Sequence, residues 1–173
     1  MEDLPQNETY HRQMTSFRRT RAAILEAAKT LVAKQGYSST SMIDIADTAE
    51  VSRATLYNHF RDKVSVYRAL LEDEITRIFK MAALKSSSAD SLTYLAGEIS
   101  GDRALAMLRG TDLALVTELL TSSEHPLWSE IARQMELVFE SKSPILLSWL
   151  IAQALQPLES GQILNQVALL TSI

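Results

Sequence analysis

The stretch from Ser41 to Phe60, SMIDIADTAEVSRATLYNHF, constrains this chain more than any other, because it holds two short amphipathic segments hinged at AEVS. Met42, Ile45, Ala46 and Ala49 recur at three-and-four spacing, as do Leu56 and Phe60, so each segment has one apolar stripe for a small core. The stripes fix what points outward. With Leu56 and Phe60 inward, a step of roughly 100° per residue leaves Ala54 and Asn58 pointing most directly away. Thr55 and Tyr57 lie beside them, and Arg53 and His59 at the margins. Solvated helix faces usually carry Glu and Lys, whereas this one is polar and almost uncharged. A helix that reads base edges needs a small residue for close approach, amides and hydroxyls for groove hydrogen bonds, and a cation at the rim.

The ends of the segments agree with two helices. Ser41 and Asp44 have capping-box spacing, Thr40 is a competing cap, and Ser52 can cap the second helix. First-turn amides of both helices carry partial positive charge suited to phosphate oxygens. Upstream, a long helix is expected over about 16–35, packing through Ile24, Ala27, Ala28 and Leu31 and stopping at Gly36. Arg18, Arg19 and Arg21 sit near its start, where cations oppose the helix dipole, a mild cost explained if they meet phosphates. Downstream, Asp62 can cap a further helix with Lys63 in its first turn.

In sum, a helix is followed by Gly36-Tyr37, a Thr-Ser cap, M-x-D-I-A, A-x-V-S, R-x-T-L-Y-N-H-F and D-K. This order over residues 16 to 70 resembles the amino-terminal DNA-binding domain of TetR-family transcriptional repressors. The resemblance implies that Thr40, Ser41, Arg53, Thr55, Tyr57, Asn58, His59 and Lys63 occupy operator-contacting positions. Tyr57 and His59 would mostly hold phosphates, while Arg53, Thr55 and Asn58 would face base edges. Ser52, as the cap, and Ala54, as the close-approach residue, complete the expected interface. One position departs from the family pattern. Where Gly is usual in the turn, this chain has Glu50, and a left-handed backbone there would cost a non-Gly residue roughly 1 kcal/mol.

Charge fits a DNA-binding amino-terminal half. The 173-residue chain has a net charge of −4, but residues 12–85 hold 13 Lys and Arg against 8 Asp and Glu, whereas residues 86–173 hold 4 against 10. The basic charge therefore sits in the segment that carries the motif. With no Cys, disulfides and thiolate zinc sites are excluded, and His11, His59 and His125 are too scattered to suggest a metal cluster. Neither a metal nor a cofactor is expected. The absence of a Walker loop, a G-x-S-x-G elbow and a dinucleotide fingerprint leaves enzyme chemistry little footing. The first residues are polar and acidic, unlike a signal peptide, so a cytoplasmic protein with a flexible tail over 1–15 is expected.

The expected fold is all-α: a helix-turn-helix DNA-binding domain at 16–63 and a helical regulatory and dimerisation domain at 64–173, with a linking helix at 64–84. The SSSAD segment looks like a seam, and further helical candidates lie near 91–100, 102–108 and 111–121. Beyond Pro126, Trp128, Ile131, Ala132, Met135, Val138 and Phe139 share one side, and Ser143-Pro144 kinks that helix or starts another. Next comes ILLSWLIAQAL, nine of eleven residues apolar. It is too short for a bilayer, which needs about twenty residues. Its whole circumference must be covered, by a partner subunit or as the central core helix of the monomer. Family resemblance implies pairing of the last long helices across a two-fold axis, with Leu146, Trp149, Leu150, Leu164 and Val167 as candidate interface residues. The final segment, QILNQVALLTSI, is apolar and stops mid-pattern without a cap, charge or Gly.

Two linked copies would present reading helices to successive major grooves, roughly 34 Å apart or a multiple, and so select palindromic double-stranded DNA. By resemblance, a small-molecule effector entering the carboxy-terminal helices would release the operator. Met107, Trp128, Met135 and Phe139 are candidate pocket residues, with Glu118 for a cationic ligand, although bulky apolar residues at this spacing are also plain core. Two other functions share the pattern: a DNA-binding protein of this fold without a small-molecule effector, and a helical protein-interaction module.

Overall fold

The computed structural model describes residues 5–121 and 126–172, all helix and connecting turns with no strand among them. The elements are α1 (Pro5–Gln35), α2 (Met42–Thr48), α3 (Arg53–His59), α4 (Lys63–Ala82), α5 (Ser88–Gly101), α6 (Arg103–Thr111), α7 (Leu113–Thr121) and α8 (Pro126–Phe139). A short 3₁₀ turn, Glu140–Lys142, leads to α9 (Ser143–Leu155), and α10 (Ser160–Thr171) follows. No helix among the described residues is long and apolar enough to cross a membrane. The chain divides into two compact units, Met1–Leu70 and Leu71–Ile173.

In the first unit, α1 begins at Pro5, so the segment expected as a flexible tail is helical from there on. Pro suits the first helical position, and no Gly or Pro interrupts the chain from Gln6 to Gln35. Among the side chains of α1 that are described, the buried stripe begins at Ile24: Ile24, Leu25, Ala27, Ala28, Leu31 and Val32. Apolar period therefore marked where packing starts and not where the helix starts. Gly36 ends the helix at φ 83°, a left-handed position that glycine enters without steric cost. The core is closed by Ile45 and Ala46 of α2, Leu56 of α3, Phe60, and Val66 and Ala69 of α4.

The second unit is built around α5, which packs against α8, α9 and α10. Leu92, Leu95 and Ala96 of α5 meet Leu127, Ile131, Met135 and Phe139 of α8, Leu146 and Leu150 of α9, and Ile163 and Val167 of α10. Pro144 starts α9 as a new helix. The SSSAD segment is not the seam. It is the turn into α5, where Ser87 caps Asp90 and the Ser91 hydroxyl donates to the Ala82 carbonyl at 2.9 Å. The division falls instead inside α4, which presents Tyr67 and Leu70 to the first core and Leu71, Ile75 and Phe79 to the second. An uninterrupted helix shows no composition shift at such a boundary.

Candidate nucleic-acid interface

Two caps and a turn set the reading helix. Ser41 and Asp44 form a full capping box: the Asp44 amide donates to Ser41 Oγ at 3.2 Å, and the Ser41 amide donates to Asp44 Oδ2 at 2.8 Å. The Ser41 hydroxyl, which donates to Asp44 Oδ2 at 2.7 Å, and then the Ser41 amide hold the Asp44 carboxyl below its ordinary value. At the other end of α2, the Val51 amide bonds the Ala46 carbonyl at 3.0 Å and the Glu50 amide bonds Asp47 at 3.2 Å. This is the paired bonding of a Schellman motif, with Glu50 in its left-handed position at φ 54°. Glu50 thus occupies the conformation for which glycine is the favoured residue. Ser52 Oγ then accepts from the Thr55 amide at 3.0 Å and starts α3.

On α3, Leu56 is 1% exposed and Phe60 just beyond it 7%, so both point inward as the period required. Arg53, Ala54, Tyr57 and Asn58 are exposed, and Thr55 is half-buried, its hydroxyl sharing a 2.7 Å bond with Ser52. The outward face is therefore small and polar with one cation at its start. His59 is half-buried: its ring stacks on Phe17 at 4.1 Å between centroids, and its Nδ1 is buried without a hydrogen bond. Burial, aided by nearby Arg21, pushes its pKa below the usual 6.5 and favours the neutral ring.

Two side chains expected at the DNA are turned inward instead. Thr40 is 2% exposed and its hydroxyl donates to the Gly36 carbonyl at 2.8 Å, because the turn out of α1 leaves that carbonyl without a helical donor. Lys63 Nζ donates to the carbonyls of Tyr37 at 3.0 Å and Thr40 at 2.9 Å, and lies 4.1 Å from the Tyr37 ring centroid. Its cation closes the loop between α1 and α2. Ser41 is exposed, but its side chain is engaged in the cap. Arg18 and Arg19 are exposed on α1, and Arg21 approaches the Phe60 ring at 5.9 Å.

A family model described as "Bacterial regulatory proteins, tetR family" matches residues 24–70, the span from the first buried residue of α1 to the part of α4 that joins the first core. Residues 24–70 are a tetR-family domain. The tetR-type segment is 40% identical over 76 residues to the probable HTH-type transcriptional regulator ArpR of Pseudomonas putida, covering 44% of this chain and 36% of that protein. It is 36% identical over 73 residues to the biofilm operon icaADBC HTH-type negative transcriptional regulator IcaR of Staphylococcus aureus, covering 40% of this chain and 39% of that one. This chain thus spans little more than a third of these curated relatives, which are regulators and not enzymes. Solved structures extend the likeness of fold to most of the chain. The TetR transcriptional regulator from Streptococcus agalactiae superposes with a TM-score of 0.58 at 20% identity, covering 94% of this chain and 98% of that one. The dihydroxyacetone kinase operon activator DhaS does so at 0.62 and 15%, covering 88% and 94%. The all-α tetR-type architecture therefore holds beyond the matched domain.

In the second unit the structure separates the expected pocket residues. Met135 and Phe139 are core, and Trp128 packs against them while its Nε1 donates to the Leu119 carbonyl at 3.0 Å. Met107 lies half-buried on α6, and Glu118 is exposed, so Glu118 offers no interior carboxylate to a cation. Among the expected interface residues, Leu146, Leu150 and Val167 are 2–4% exposed in the chain's own core. Their side chains are taken up by packing within the chain itself. Trp149 is half-buried, donating to Gln166 Oε1 at 2.6 Å, and Leu164 is 57% exposed. Sequence reasoning missed Ile145 and Leu169, each 68% exposed, because period alone does not say which side of an all-apolar helix faces its own core. His125 lies outside the described residues.

Proposed function

We propose that this chain is a DNA-binding transcriptional regulator that works in the cytoplasm as a homodimer on a palindromic operator. The observation that carries it is the exposed face of α3, where Arg53, Ala54, Tyr57 and Asn58 stand clear of the core that Leu56 and Phe60 anchor. Arg and Asn are the side chains whose paired donors and acceptors fit guanine and adenine edges in the major groove. Repression is the favoured sense, since IcaR is named a negative regulator, although DhaS, an activator, has the same fold. Support for a second copy comes from the exposed apolar side chains Ile145 on α9 and Leu164 and Leu169 on α10. The effector is a small apolar molecule admitted among Trp128, Met135 and Phe139, which share one apolar interior.

Selection from a random duplex library with the full chain, followed by gel shift at low salt, tests the reading. A two-fold symmetric site should emerge, and Arg53→Ala with Asn58→Ala should weaken binding at least tenfold, since each base-edge pair is worth about 1–3 kcal/mol. No shift at low salt would leave only a protein-interaction module, and a shift indifferent to the double change would remove α3 as the reading helix. A reporter gene carrying the selected site gives the sign of regulation. Thermal-shift screening against lipids, aromatic acids and cationic drugs should find an apolar compound that stabilises the protein and releases the site. A screen that finds none would favour a regulator without a small-molecule effector.

A further inference from the structure

We infer that Phe17 is a positioning residue for DNA binding: its ring fixes that of His59 and thereby the carboxy-terminal end of the reading helix. The inference rests on the DNA-binding reading above but names a residue outside the span 24–70 that the family match covers. Phe17 stands in a polar, basic stretch, TSFRRT, and is 48% exposed, seven residues ahead of Ile24, the first buried side chain among those described in α1. It therefore does nothing for the core of its own unit. What it does meet is His59, the last residue of α3, face to face at 4.1 Å with 30° between the rings. His59 in turn lies 6.4 Å from the Phe60 ring, which Arg21 of α1 approaches at 5.9 Å. One face of α1 thus grips the end of α3 through three rings and a guanidinium.

That end needs holding. At seven residues α3 has two turns, too few to persist by its own backbone bonds. Ser52 secures its start and Leu56 its middle, but the buried Nδ1 of His59 makes no hydrogen bond, so packing alone sets the orientation of this ring. Phe17 supplies that packing on its open side. Tyr57 and Asn58 immediately precede His59 on the exposed face, so fraying of the last turn displaces residues that would meet phosphate and base.

The test is a double-mutant cycle in the full chain, read by fluorescence anisotropy on a labelled duplex bearing the site that the wild type selects. A ring stack worth roughly 0.5–1.5 kcal/mol translates to a two- to tenfold loss of affinity in Phe17→Ala. Phe17→Tyr should restore binding to within about twofold, Phe17→Leu should not, and Phe17→Ala should cost nothing further in a His59→Ala background. Helix content by circular dichroism should remain at the wild-type level, since the side chain is half exposed. Equal binding by wild type and Phe17→Ala, or losses that simply add in the double variant, would overturn the inference while leaving the DNA reading intact. A wild type that selects no duplex at all removes both.

Discussion

Lys63→Met separates two roles for one cation. The sequence places Lys63 near the phosphate backbone, whereas the structure folds its ammonium onto the carbonyls of Tyr37 and Thr40 and over the Tyr37 ring. Methionine keeps most of the apolar stem and removes the charge and the donors. Charge-assisted hydrogen bonds contribute about 1.5–3 kcal/mol each when well buried, and a cation over a ring about 0.5–1 kcal/mol at exposed sites. Lys63 is half-buried, so water takes up part of what is lost, and a net cost of about 2 kcal/mol follows for closing the loop between α1 and α2. Local opening should then rise roughly thirtyfold, at 1.36 kcal/mol per factor of ten.

Amide hydrogen exchange of the full chain reads that opening directly at the Thr40 amide, which bonds the Tyr37 carbonyl at 3.1 Å, and at the capped amide of Asp44. Exchange there should accelerate by this factor while the amides of α8 to α10, in the other unit, keep their protection. DNA affinity should fall only by what the loosened loop costs, with an unchanged dependence on salt. If exchange is unmoved but the salt slope of binding drops by about one, Lys63 reaches a phosphate and the internal clamp is refuted.

Four further outcomes follow from the same geometry. Glu50→Gly removes left-handed strain of about 1–2 kcal/mol but adds about 0.5–1 kcal/mol of unfolded-chain entropy. It should therefore raise stability by roughly 0.5 kcal/mol in denaturant titration, and tighten DNA binding most at low salt by deleting a negative charge. Burial pushes the Tyr67 phenol up to about 12 from 10.0, so its contribution to stability is complete below pH 10.0 and is lost as pH rises toward 12; Tyr67→Phe should remove the late-titrating phenolate absorbance and flatten stability there. The carboxyls of Asp44 and Asp62 lie below their ordinary 3.8, so what they add is present above that pH and lost as pH falls below it; Asp44→Asn should blunt the acid loss of α2 helicity. Leu164→Asp should give a folded monomer by light scattering, whereas Leu150→Asp should unfold the second unit, because only the latter side chain is buried in its own core.

What was legible in the sequence is what repeats along a helix or is fixed by neighbours in the chain. The stripes of α2 and α3, the capping box of Ser41 and Asp44, the cap at Ser52, the stop at Gly36 and the strained Glu50 all depend on spacing or on one local backbone state, and each stands where spacing puts it. The internal bonds of Lys63 are hidden from the sequence for the converse reason. Its partners are carbonyls of the turn after α1, 23 and 26 residues away, and no period records them. The start of α1 is hidden because its first turns are mostly polar in sequence.

The apolar helix α9 shows where such reasoning divides. With nine of eleven residues apolar, ILLSWLIAQAL required cover on every side without saying whose. Leu146 and Leu150 join the core that α5, α8 and α10 build, and Ala154, four residues further on, is buried as well, so that one row of the helix is satisfied by the monomer. Ile145 and Leu155, 68% and 40% exposed, leave another part of the surface open. On α10 the same split recurs: Ile163 and Val167 turn inward, while Leu164 and Leu169 face out. The monomer's own core thus covers one side of the helix and leaves the other to be covered. Intramolecular packing accounts for Leu146, Leu150 and Val167, and the apolar side chains left outside it, Leu164 among them, are those available to a second copy.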